Sequence, residues 1–161
     1  MMLRTKISRF LYNIFTYLVS PLLIIHLVFR SISDRRYINR IAERFGFYER
    51  HNNNETIWVH AVSYGEVNAA QSLVRSLLEE YPESKLIFTC TTPTASALIE
   101  DLFQDKVISV YMPYDLKGPV KRFFQWAKPK MAIIIETEIW PNIYHYCGSK
   151  EIPLILASSG I

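Results

Sequence analysis

A chain of 161 residues, 50% of them hydrophobic, has room for one globular domain and one further apolar segment. Its net charge of +3 is spread along the sequence, too mild to mark a nucleic-acid binder. Cys90 and Cys147 lie far apart without a CxxC partner, which argues against a disulfide framework or a zinc site and for a reducing compartment.

Phe10 to Phe29 is predominantly apolar. At about 1.5 Å per residue it is as long as a bilayer's hydrocarbon core is thick, about 30 Å. Arg4, Lys6 and Arg9 precede it, and Arg30, Arg35, Arg36, Arg40 and Arg44 follow it. No small-residue cleavage site follows, so residues 1–31 are expected to be a retained membrane anchor; the alternative is a buried or interfacial helix of a soluble domain. The arginines behind the segment favour a cytoplasmic globular part. Asp34 to Arg44 reads as a short basic helix ending near Gly46, within a basic helix and linker over residues 32–55. Its arginines would face either anionic headgroups or plain solvent. Asn52-Asn53-Asn54 reads as a loop.

From there strands and helices alternate over residues 56–161. Ile57 to Ala61 is a buried, β-prone run; Gly65 is expected to let the backbone turn tightly, and from Val67 a helical period runs through Ala70, Leu73, Val74, Leu77 and Leu78. Lys85–Cys90 is a strand, and Thr92-Pro93 starts a helix to about Phe103. Val107–Met112 is a strand, and Asp115 precedes a helix to about Ala127. Met131–Ile135 is a strand, Pro141 falls in the first turn of the next helix, and Ile152–Ala157 is a last short strand. This alternation predicts an α/β fold, a doubly wound and mostly parallel sheet whose strands are apolar on both faces.

In such a sheet all the segments that follow strands lie on one edge, where ligands bind. That edge collects Ser63, Gly65 and Glu66, then Thr91, Thr92 and Thr94, then Tyr114 and Asp115, then Glu136, Thr137 and Glu138. Helix N-termini there suit phosphate or carboxylate groups. Each residue also has a structural reading. Ser63-x-x-Glu66 matches a capping box; Thr92 and Asp115 are cap signals; His60 suits a satisfied core histidine; Phe123, Phe124 and Trp126 suit helix packing. Glu136 and Glu138 alternate at a strand end, which predicts a shared face and one raised carboxyl pKa. No GxGxxG, Walker or HExxH sequence is present.

Four blocks occur in one order: His60-Ala61-Val62-Ser63-Tyr64-Gly65-Glu66, Thr91-Thr92-Pro93-Thr94, Tyr111-Met112-Pro113-Tyr114-Asp115, and Glu136-Thr137-Glu138-Ile139-Trp140-Pro141-Asn142. Together they closely resemble the N-terminal half of the bacterial 3-deoxy-D-manno-octulosonic acid (Kdo) transferases, the lipid A glycosyltransferases. The first and last blocks are long enough to be specific.

The resemblance implies the N-terminal Rossmann-like half of a GT-B glycosyltransferase behind an N-terminal membrane-anchor helix, at the cytoplasmic face of the bacterial inner membrane. It implies inverting transfer of Kdo from CMP-Kdo to a lipid A precursor, with no cofactor, no bound metal and no nucleic-acid partner. Glu66 takes the position of the family's general base. Glu138 is the expected supporting carboxylate, with Glu136 the alternative. Ser63, Gly65, Thr91, Thr92 and Thr94 are expected to line the acceptor cleft. Tyr64 stands where the family has a small aliphatic residue, and Ala95 replaces a glycine after the threonine block. The family continues beyond the last strand into a nucleotide-sugar domain, whereas here Ala157 leads to Ser158-Ser159-Gly160-Ile161. The chain is therefore expected to be a truncated or split form that lacks the C-terminal domain and is inactive alone. The competing reading is a membrane-tethered α/β binding module without turnover. A receiver-like signalling domain would need an acidic cluster after the first strand, where only Glu66 stands.

Overall fold

The computed structural model describes residues 2–49, 54–136 and 138–158, and of residues 2–6 the backbone alone. The expected loop residues Asn52 and Asn53, the side chains of Arg4 and Lys6, Thr137, and Ser159 to Ile161 lie outside the described residues.

The apolar segment is a single helix, α1 (Met2–Ser33), longer at both ends than the apolar run. Its stretch Ile7–Ser33 is long and apolar enough to cross a membrane, and little of it is covered by the rest of the chain. Pro21 sits inside it, where a proline deprives the carbonyl four residues back of its donor. That carbonyl belongs to Tyr17, and the Ser20 hydroxyl donates to it at 2.8 Å, which repairs the lost bond. Two tyrosines tie the first half of α1 to the domain. Tyr12 donates to Asp115 at 2.8 Å, and the Tyr17 hydroxyl accepts from the Gly118 N–H at 3.2 Å.

The expected basic helix over 34–44 is two pieces: a 3-10 turn, Arg35–Tyr37, capped by Asp34, and a four-residue α2 (Ile41–Arg44). Arg40 breaks them apart by adopting left-handed backbone at φ 56. Its guanidinium turns inward, to Glu43 at 2.8 Å, Ser96 at 3.1 Å and the Ser109 carbonyl at 2.7 Å. Glu43 in turn accepts from the Tyr111 N–H at 2.7 Å. Arg44 is buried, donates to the Thr91 carbonyl at 2.9 Å and stacks over the Tyr111 ring. Two of the arginines expected at headgroups thus hold the segment against the sheet.

Gly46 ends this segment at φ +79, where a Cβ would meet the Pro119 carbonyl oxygen at 2.5 Å. Both the backbone and the space demand glycine. Gly46→Ala is expected to cost about 1–3 kcal/mol in chemical denaturation. An unchanged midpoint would show that this turn does not pack on the 119 region.

The sheet has five parallel strands: β1 (Thr56–His60), β2 (Lys85–Cys90), β3 (Val107–Tyr111), β4 (Pro129–Ile135) and β5 (Leu154–Ala157), in the order β3-β2-β1-β4-β5. The helices between them are α3 (Tyr64–Ala69), α4 (Gln71–Glu80), α5 (Pro93–Phe103), α6 (Lys117–Ala127) and α7 (Pro141–Ser149). The helix expected from Val67 to Leu78 is therefore interrupted at Ala70. Gly65 does not make a tight turn: it lies inside α3, and among the described residues Gly46 is the glycine with positive φ.

Alternation along β1 separates two cores. Ile57, Val59 and Ala61 pack with Val67, Val74, Ile99 and Phe103 on one face. Trp58 packs with Val120, Phe123, Phe124 and Ile143 on the other. Helices thus cover both faces, α3 to α5 on one and α6 with α7 on the other, as a doubly wound sheet requires. Phe123 and Phe124 meet Trp58 edge-on at centroid distances of 4.8 and 5.7 Å, the packing role expected of that cluster. Both cysteines are buried free thiols.

Candidate active site at the carboxyl edge of the sheet

Strand order locates the cleft. From β1 the chain moves outward to β2 and β3 on one side, then returns to place β4 and β5 on the other. The order reverses between β1 and β4, and a doubly wound sheet opens its ligand crevice there, outside the carboxyl ends of the strands. Glu66 follows β1, and Glu136 and Glu138 follow β4, so they border this opening.

Glu66 is held by local bonds. Its Oε2 accepts the Val62 N–H at 2.6 Å, and its Oε1 accepts the Ser63 hydroxyl at 3.0 Å. The Ser63 Oγ is also the N-cap of α3, accepting the Glu66 N–H at 3.4 Å. This is a capping box displaced by one residue, because the carboxylate takes the N–H before the cap residue instead of the cap's own. Two donors on one carboxylate fix its direction. Gly65 beside it leaves open space where a side chain would stand.

The carboxylates after β4 are arranged differently from the sequence expectation. β4 stops at Ile135, and Glu136 adopts left-handed backbone at φ 63, with its N–H bonded to the Ala157 carbonyl at 2.8 Å. Glu136 and Glu138 therefore do not alternate on a strand. Burial raises the Glu138 pKa, and the charge of Glu66 raises it further. Glu66 and Glu138, one from each side of the switch point, are thus near enough for the charge of the first to act on the second. Tyr144 donates its hydroxyl to the Glu138 carbonyl, pinning this segment to α7, a contact that nothing in the sequence announced.

The threonine block divides into two roles. The Thr91 hydroxyl donates to the Val62 carbonyl at 3.0 Å, lashing the segment after β2 to the one after β1. Thr92 caps α5 through the Ala95 N–H at 3.2 Å. Thr94 is exposed, 3.2 Å from the Thr92 hydroxyl.

Asp115 does not cap α6, whose N-terminus has no side-chain cap. Its carboxylate instead accepts the N–H groups of Asn142 at 3.0 Å and Ile143 at 3.1 Å, at the start of α7. That helix terminus, expected to be open to a ligand, is filled from within.

His60 is fully buried beneath this edge. Its Nδ1 lies 2.8 Å from the Thr89 hydroxyl, which also accepts the Trp58 indole N–H at 2.9 Å. Burial lowers its pKa from the ordinary 6.5 to about 4, so it is neutral at pH 7 and serves the core. The unfolded chain takes up this proton first, so stability falls as pH drops from about 6.5 through about 4. The loss is about 3 kcal/mol between about pH 8 and pH 4. Urea midpoints at the two pH values check it; a His60→Gln variant that loses as much as the wild type would assign the acid lability elsewhere.

Fold and site together define a doubly wound α/β domain that brings carboxylates to the switch point of its sheet. The family model described as 3-deoxy-D-manno-octulosonic-acid transferase (kdotransferase) matches residues 39–161. The 3-deoxy-D-manno-octulosonic acid transferase of Haemophilus influenzae is 38% identical over 153 residues, covering 94% of this chain and 36% of the relative. The probable mitochondrial enzyme of that name from Arabidopsis thaliana is 33% identical, covering 92% of this chain and 34% of the relative. That of Bordetella pertussis is 36% identical, covering 64% and 25%. The chain belongs to the Kdo transferase family. It spans about a third of the length of these relatives.

Proposed function

We propose that this chain is the acceptor-binding part of an inverting glycosyltransferase that moves Kdo from CMP-Kdo onto a lipid A precursor. The observation that carries the reading is Glu66, a carboxylate held by two donors at the switch point, its charge acting on a second carboxylate, Glu138. Glu66 takes the proton from the acceptor sugar hydroxyl as that oxygen bonds to the anomeric carbon of Kdo, and CMP departs with the electrons of the broken bond. A base of this kind contributes about 10²–10⁴-fold. Glu138, whose pKa is raised by burial and by the charge of Glu66, supports the base; Glu136 is the alternative partner. Ser63 aims the base, Gly65 leaves room above it, and Thr91, Thr92 and Thr94 form the neighbouring wall. Residues 56–161 are the acceptor domain, and α1 anchors it at the cytoplasmic face of the inner membrane. The CMP-Kdo site belongs to the remaining two thirds of the relatives' length, and donor and acceptor must be held together for rapid transfer, a positioning effect of roughly 7–11 kcal/mol. The 161 residues alone therefore bind acceptor without turnover.

The bonds of Glu66 to Val62 and Ser63 also suit a binding module in which this residue only caps α3. Titrating a lipid A precursor into the detergent-solubilised chain tests the proposal. Saturable binding that survives Glu66→Gln is expected. Absence of binding by the folded chain would contradict the acceptor role.

A further inference from the structure

We infer that the face between α1, α6 and α7 seats one phosphorylated membrane lipid, its phosphate in a basic cavity and an acyl chain along α1. The inference is independent of the role assigned to Glu66.

Two adjoining cavities meet there, sharing Asn13 and Lys117. The first, about 210 Å³, is lined by Arg9 of α1, Lys117 and Lys121 of α6, and His145 of α7. No carboxylate lines it. Among the described residues none of these four side chains is in an ion pair. Arg9 and His145 line this cavity together, and the positive charge of Arg9 adds to burial in lowering the His145 pKa. Lys117 and Lys121 stand in the opening turns of α6, the positive end of its dipole, where cations are unfavourable. That terminus has no acidic residue in its first turn and no side-chain cap. Three sources of positive potential converge on a lining without a carboxylate, and Asp115, just before α6, is engaged by Tyr12, Asn142 and Ile143. A phosphate would balance them, since its oxygens accept from ammonium and guanidinium groups together.

The second cavity, about 460 Å³, continues along α1 and is lined by Phe10, Ile14, Tyr17 and Leu18 beyond the shared residues. Phe10, Ile14 and Leu18 are exposed, on the helix that is long and apolar enough to meet a membrane. An apolar trough opening from a basic cup matches a headgroup followed by its chain, and a free anion would leave the trough empty. Asn13 stands at the junction with its Oδ1 buried and without a partner. It can accept from a hydroxyl of the kind that glycerol or sugar headgroups carry beside their phosphate.

The test is native mass spectrometry of the whole 161-residue chain in neutral detergent, titrated with short-chain phosphatidic acid. Phosphatidylcholine of the same chain length and inorganic phosphate are the comparison probes. A one-to-one phosphatidic acid adduct is expected, weakened about thirtyfold by Lys117→Glu with Lys121→Glu, since each basic group near a headgroup is worth about 1 kcal/mol. Both lysines are exposed, so the folded state survives their replacement. Leu18→Asp is expected to weaken the adduct as well. The control pair is Lys85→Glu with Lys106→Glu, at the amino ends of β2 and β3, and should leave it intact. Equal loss in the control pair would overturn the site in favour of general surface charge. Equal binding of phosphatidylcholine would overturn the phosphate, and full competition by inorganic phosphate would overturn the lipid.

Discussion

Glu66→Gln is expected to lower Kdo transfer by about 10²–10⁴-fold while leaving the melting temperature nearly unchanged. The assay uses residues 1–161 joined to the remaining length of the Haemophilus influenzae relative. Glutamine keeps the shape and one acceptor oxygen, so either the Val62 N–H or the Ser63 hydroxyl stays paired. It cannot take a proton at neutral pH. Ser63→Ala is the complementary change. It removes the cap of α3 and one donor to the carboxylate, at about 0.5–2 kcal/mol of stability, but spares the base. Turnover should follow the first substitution and stability the second. If Glu66→Gln keeps its turnover and loses stability instead, the residue is only a cap.

Asp115→Ala is expected to destabilise the chain by about 3–5 kcal/mol in urea denaturation, the largest stability loss anticipated from a single polar side chain. One carboxylate accepts the Tyr12 hydroxyl of α1 and the first N–H groups of α7. Its removal leaves buried donors unpaired and takes away one of the two bonds by which Tyr12 and Tyr17 tie α1 to the domain. Tyr12→Phe removes the α1 bond alone and should cost about 1 kcal/mol. Burial raises the Asp115 pKa above its unfolded value in spite of these bonds. Its titration therefore favours the folded state as pH falls, and it does not add to the acid lability that His60 brings. A loss near 1 kcal/mol for Asp115→Ala would mean that α7 keeps its start without help from the turn after β3.

The strands were legible because buried parallel strands read as unbroken apolar runs, such as Ala132 to Ile135, and the observed ends differ by only a residue or two. The edge holding Glu66 was legible for the same reason, since a strand, a polar turn and a helix follow one another within a few residues. What stayed hidden was set by contacts between residues remote in sequence. Asp115 looked like the cap of its own helix, yet its partners are 27 and 28 residues away. The arginines at 40 and 44 looked like a solvent or membrane face, yet they reach the 109 and 91 carbonyls. The carboxylate pairing was misread for a local reason. One left-handed residue, Glu136, ended the strand a step before the alternation could apply, and the carboxylate whose charge acts on Glu138 is Glu66.

Transfer itself is the most direct measurement. The joined polypeptide, the 161 residues alone and the remaining part alone are each incubated with CMP-Kdo and a lipid A precursor, and the lipid is weighed by mass spectrometry. The joined polypeptide should add Kdo, and neither part should do so by itself. Product formed by the remaining part without residues 1–161 would contradict the acceptor role of this chain.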